Sequence, residues 1–347
     1  MKTKVRQSNF ELLRILCMLG VVTNHVLQNC YPRLHGTDFS IENDLRVLLM
    51  CMSIAAVNCF VMISGYFRIC QSWKSFFNLY TQCAFWMLVL TTLSWICLDG
   101  TIMDIGKNTV FALTGSGYWF IVAYFALFLF APLLNVAFDN MDARQRYCSL
   151  LALLVMDVYV GYMHQVSEVT IDGYSAIHFF VIYYLGMYLS TVCCQSQYGG
   201  AKWFTFCLLM LVGHTAKVLF PPFAILFSMR YNSPSVMVAS VLLFNWARTW
   251  KLQSKKINRI ASSVLAVYII HMSPFGGHLF FEPLKWMTRE LQSVDACLGM
   301  MAYVLSFYSC CILIDKGRIY ICQPINRWLT KEAIHVMDRV FPHNKTV

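Results

Sequence analysis

The sequence predicts an all-α fold, a polytopic membrane bundle of about ten helices with both termini cytoplasmic. Three observations predict it. The 347 residues are 58% hydrophobic and 13% charged, with a mean hydropathy of +0.57, whereas a globular domain is about 45–50% apolar and about 25% charged. So few charges cannot cover a water-soluble surface of this size. Apolar windows of about 20 residues, the length that crosses a hydrocarbon core of about 30 Å, recur along the whole chain. Lys and Arg gather in alternate connectors between those windows.

Taken in order, the windows run from Phe10 to Gln28, Leu45 to Tyr66, Phe76 to Leu98, Tyr118 to Phe138, Cys148 to Tyr162, Ile177 to Cys194, Trp203 to Phe220, Ser233 to Trp246, Ile260 to Phe281 and Ala296 to Ile314. The first follows a basic start that resembles a secretory signal. It lacks a small-x-small cleavage site and contains Arg14, so it is expected to stay as the first helix. The fifth and eighth are the shortest. An even number puts both ends on one side, and the positive-inside rule says which. The N-terminal cations, Arg68, Lys74, Arg144, Arg146, Lys202, the cluster from Arg248 to Arg259 and the tail from Lys316 fall inside. Only Arg33, Arg46, Lys107, Arg230, Lys285 and Arg289 fall outside.

A formal charge of +10 in a soluble chain would suggest nucleic acid, but these cations sit in connectors, and no nucleic-acid partner is expected. The 15 cysteines lie mostly inside apolar runs, without paired C-x-x-C spacing; they read as reduced, and no metal is expected. No connector is long enough for a second domain, so residues 1–347 form one membrane domain, with a helical core at about 10–314 and a cytoplasmic tail at 315–347.

Polar side chains within lipid are costly and are candidates for function. In the first window Arg14 and His25 stand about three turns apart on one face, about 16.5 Å of helix rise. Arg14 reads as a snorkelling residue near the helix end or as a cation facing a wet cavity. His25 reads as a hydrogen-bonded packing residue or as a group suited to proton transfer near neutral pH, beside Asn24, which cannot titrate. Ser64-Gly65 closes the second window as a close helix contact or part of a site. Arg68 and Lys74 follow, as a phosphate-binding edge or as ordinary inside bias. The rings of Tyr118, Trp119 and Tyr124 read as belt anchors or as the lining of an acceptor groove. His271 in the ninth window offers a second proton-handling group. Asp157, His178, His214, Lys217 and Asn245 read as helix-bridging hydrogen bonders.

Several of these residues fall in a recognisable order: Leu-Leu-Arg14 with ten residues before His25, Phe60-Val-Met-Ile-Ser64-Gly65-Tyr66-Phe67, Tyr118-Trp119-Phe120 with Pro132-Leu-Leu-Asn135, Tyr184-Leu-Gly186, and Tyr268-Ile-Ile-His271. From about Phe10 to about Ile314 the chain resembles the acyltransferase-3 family. The resemblance implies a membrane O-acyltransferase of the bacterial cytoplasmic (inner) membrane. Such an enzyme moves an acyl group, usually acetyl, from cytoplasmic acetyl-CoA to a hydroxyl of a surface or lipid-linked glycan. It implies His25 as the catalytic histidine with Arg14 as its motif partner, and Arg68 toward the acyl-CoA, where the residue reading also sets Arg14, Lys74 and Ser64. Asn24, Tyr118, Trp119, Tyr124 and His271 remain for the acceptor side. The chain resembles the stand-alone capsule and exopolysaccharide branch, and Gln71 stands where a second arginine would follow Arg68. The alternative is a proton-coupled secondary transporter or glycan exporter, for which no broken-helix signal is apparent; a non-catalytic assembly partner is a third reading.

Overall fold

The computed structural model describes residues 6–31, 40–98, 117–166, 170, 172–193, 198–216, 220, 223–291 and 293–340. Arg33, Lys107 and Lys217, named above, lie outside them. Helices occupy all ten expected windows, and no strand occurs among the described residues. They are α1 (Ser8–Asn29), α2 (Ile41–Ser53), α3 (Ala56–Phe67), α4 (Trp73–Cys97), α5 (Trp119–Asp139), α6 (Ala143–Leu154) with a π-helical continuation over Val155–Met163, and α7 (Ala176–Thr191). After these come α8 (Gly199–Ala216), the single turn α9 (Phe223–Leu226), α10 (Pro234–Arg248), α11 (Lys255–Ala261), α12 (Val264–Met272), α13 (Pro274–Glu290) and α14 (Ser293–Val340).

Among the described residues, six spans are long and apolar enough to cross a membrane, α2 and α3 counting as one, and the bent pair made by α11–α12 and α13 makes a seventh. Helices α7, α8 and α10, in the sixth to eighth expected windows, are shorter or less apolar. Serine hydroxyls supply the start signals. Ser72, Ser175, Ser233, Ser254 and Ser273 each accept a bond from a backbone N–H in the first turn of the helix that follows, a cap typically worth about 1 kcal/mol.

The closest helix crossing brings α3 against α7. A Cβ on Gly65 would lie 2.0 Å from the Tyr183 carbonyl oxygen, and one on Gly186 would lie 2.3 Å from that of Met62. Two backbones therefore touch where only glycine fits, which is the packing reading of the Ser64-Gly65 pair. The connector after α3 is tied to this crossing. Asn135 donates to the Ile69 carbonyl and accepts from the Tyr183 hydroxyl, which itself accepts from the Ile69 N–H. Pro132 inside α5 has no N–H for the Phe128 carbonyl four residues back. Gln71 donates its side-chain amide to that carbonyl at 2.8 Å instead. Gln71 is thus a structural plug.

One expectation is corrected. The ninth window is not one straight span: α11–α12 and α13 meet at 79°. Pro274 is the cause, because it disfavours helix at Ser273 and suits the first position of a new one, which the Ser273 hydroxyl caps at the Gly276 N–H. A broken-helix signal is therefore present, two residues from His271. Beyond Ile314 the chain stays helical. It continues as α14, a 48-residue helix about 72 Å long, more than twice the thickness of a hydrocarbon core. Its Asp315 and Arg318 form a buried ion pair, and Asp315 also accepts from the Trp86 indole of α4.

Candidate active site

A cavity of about 280 Å³ lies inside the bundle, among α1, α3, α5 and α12. Arg14 and His25 both line it, so their shared face of α1 looks into one common space. Ser64, Trp119, Tyr124, Tyr231, Tyr268 and Ser262 are also in its wall. The Ser64 and Tyr124 hydroxyls are 3.0 Å apart, and Ser64 donates to the Phe60 carbonyl.

The rise along α1 separates the two ends of this space by about 16.5 Å, so no single reacting carbonyl touches both Arg14 and His25. At its own end Arg14 is paired with Glu11, one turn back, at 3.1 Å. A buried carboxylate neutralises it, leaving the rest of the guanidinium as a fixed set of N–H donors rather than as a free positive charge.

At the other end His25 Nδ1 lies 2.8 Å from Nε2 of His271, which is fully buried behind it. The remaining nitrogen of His271, Nδ1, lies 2.6 Å from the Val267 carbonyl oxygen. That carbonyl can only accept, so His271 Nδ1 carries its proton. A neutral His271 then offers a lone pair at Nε2, and His25 Nδ1 must donate to it. The lone pair of His25 is thereby assigned to Nε2, which has no partner among the described residues and is the nitrogen left for the cavity. Such a chain of bonds prepares His25 to take a proton there and spread it over two rings.

The other expected site residues divide. Ser64, Trp119 and Tyr124 line the cavity, while Asn24 and Tyr118 are packed behind it. The buried Asn24 side-chain oxygen has no partner, and the Tyr118 hydroxyl reaches the Ile269 carbonyl. Arg68 is elsewhere: it pairs with Asp139 and lies over the Phe138 ring. Lys74 lines a separate basin. Asp157, His178 and Asn58, all fully buried, form a bridge: His178 Nδ1 to Asp157 at 2.7 Å, Nε2 to the Asn58 oxygen at 3.0 Å, and the Asn58 amide on to the Tyr231 carbonyl. Tyr231, Tyr268 and Ser262 were not singled out for the site by sequence reasoning, although Tyr268 stands one turn before His271 and shares its face.

The family model described as an acyltransferase domain matches residues 7–315. The chain belongs to the acyltransferase-3 family. No curated protein and no solved structure matches it. Family membership makes this chain a membrane acyltransferase, and the matched segment contains the described wall of the His25 cavity but stops short of the C-terminal half of α14.

Proposed function

We propose that this acyltransferase is a stand-alone O-acetyltransferase of the bacterial inner membrane, with acetyl-CoA as donor and a hydroxyl of a surface or lipid-linked glycan as acceptor. The single observation that carries the reading is the unpartnered His25 Nε2, left with the ring's lone pair by the His271–Val267 chain and facing a cavity whose wall also carries hydrogen-bond donors. The uncharged acyl arm of the donor enters past Arg14, whose free N–H groups hold its amide carbonyls. The acceptor enters from the opposite end, where Trp119 also borders an outer pocket of about 400 Å³ with Tyr174, their rings 4.6 Å apart. Aromatic faces of this kind take the C–H face of a sugar ring.

In the transfer step the sugar oxygen attacks the thioester carbonyl while its proton moves to His25 Nε2. The oxyanion is met by a hydroxyl donor of the cavity wall, for which Tyr268 is the candidate, because Ser64 donates to the Phe60 carbonyl and Tyr124 to Ser64. Collapse breaks the carbon–sulfur bond, and the departing thiolate takes the proton back from Nε2, leaving an ester and a free thiol. In a covalent variant Nε2 attacks the thioester first, and label from acetyl-CoA stays on His25 when no acceptor is present.

Comparing the cell's glycans with and without this protein, by mass and NMR, tests the reading: an acetyl ester that disappears supports it, and unchanged glycans refute it. The bend beside His271 is the observation that favours a second reading, a proton-coupled transporter or exporter. Glycan flux that persists without acyl-CoA, with no ester formed, would select it.

A further inference from the structure

Beside the His25 cavity lies a second and larger space, a basin of about 610 Å³ between the start of α4 and the C-terminal half of α14. Ser262 is in the wall of both, so the two adjoin. Among the described residues, four cations line the basin, Arg6, Lys74, Arg318 and Arg327, and no carboxylate does. Of these four, only Arg318 has a carboxylate partner among the described residues, Asp315. Two amides in the wall are left unsatisfied: Gln82 is buried with no partner for its Nε2, and Asn326 has none for its Oδ1. Buried polar atoms without partners are uncommon in native folds and mark places where something else bonds.

Bilayer topology alone would leave these cations in water. Here a helix longer than any membrane requires folds two of them, Arg318 and Arg327, back against α4, where Asn326 donates to Asn78. Both lie beyond residue 315, outside the family-matched segment. We infer that this basin, built in part by the extension of α14, is the seat of the phosphate groups of the thioester donor. The inference rests on the reading that the donor is an acyl-CoA. It supplies what the 280 Å³ cavity lacks, room and uncompensated positive charge for a nucleotide, and it moves the anion site away from Arg68, which Asp139 occupies, and from Arg14, which Glu11 neutralises. Arginine forks and a lysine point charge are the groups that recognise phosphate.

The test is calorimetric titration of the full chain in zwitterionic nanodiscs with coenzyme A, adenosine 3′,5′-bisphosphate and phosphate-free pantetheine. Wild type is compared with the double variant Lys74→Gln/Arg327→Gln, both positions being exposed. The basin predicts coenzyme A binding weakened about tenfold or more in the variant, equal pantetheine binding in both proteins, bisphosphate binding confined to wild type, and a steeper fall of affinity with salt in wild type. Equal coenzyme A binding in the two proteins overturns the basin and leaves the acyl-CoA reading standing. No coenzyme A binding to wild type overturns both. Repeating the titration with phosphatidylglycerol in the disc separates the sources of phosphate. If the double variant's only loss is in retained anionic lipid, the basin is a lipid site and the inference fails.

Discussion

Two pairs of buried groups, each containing histidine, sit a few helices apart and do opposite things. His178 has both ring nitrogens engaged, one by Asp157 and one by Asn58, at no exposure. Because the Asn58 amide donates to the Tyr231 carbonyl, its oxygen faces His178, so His178 Nε2 is a donor and the ring shares a further proton with Asp157. Neither ring nitrogen is left over, although Asp157 Oδ1 has no partner among the described residues, and the cluster fixes Tyr231 and ties α3 to the π-helical segment. His25, by contrast, spends one nitrogen on His271 and keeps the other for a cavity. Burial of a titratable ring in a membrane bundle is thus compatible with either role. What separates them is whether both ring nitrogens are engaged.

The largest expected effect follows directly. His25→Ala removes the unpaired base, and acyl transfer falls by about 10²–10⁴-fold or more, while the variant elutes in detergent as wild type does. Wild-type activity in that variant would erase the contrast. Asp157→Ala should behave in reverse: breaking a buried pair by removing one partner costs about 3–5 kcal/mol, so the yield of folded protein drops in fluorescence-detected chromatography. The molecules that remain folded keep their specific activity. His271→Phe tests the tautomer argument between these extremes. With no acceptor for its Nδ1–H, His25 loses the fixed assignment of its lone pair, and turnover falls by about 10²-fold with donor KM held. A rise in KM alone would show that His271 contacts substrate instead. Least of all, Arg68→Gln breaks a half-exposed pair of the kind worth about 0–1 kcal/mol. Its donor KM should match wild type, and a large increase would return the phosphate site to the connector after α3.

Much of this was legible beforehand because it depends on short stretches of chain. Ser273-Pro274 is a start signal readable in two letters, yet the apolar run on either side hid the bend it causes. Gln71 is the reverse case. It stood out only as a missing arginine, and its function, bonding the carbonyl that Pro132 leaves free, needed α5 to lie beside the connector. The extension of α14 escaped notice because polar residues replace apolar ones after Ile314, although helix formation does not require an apolar face once a neighbouring helix supplies contacts. Asp157 and His178 were read as helix bridges, and the structure pairs them with each other.

By itself the sequence determined the solvent, the helical windows and the common face of Arg14 and His25. Each of those follows from transfer free energy and helix periodicity, which act over a turn or a span. Tertiary structure alone decided that His271, 246 residues further along, would complete the hydrogen-bond chain of His25, that Glu11 rather than a ligand would neutralise Arg14, and that Arg318 and Arg327 would face Lys74 across a basin. Those outcomes depend on which helices pack side by side, and a one-dimensional pattern of polar and apolar residues does not encode who the neighbour is.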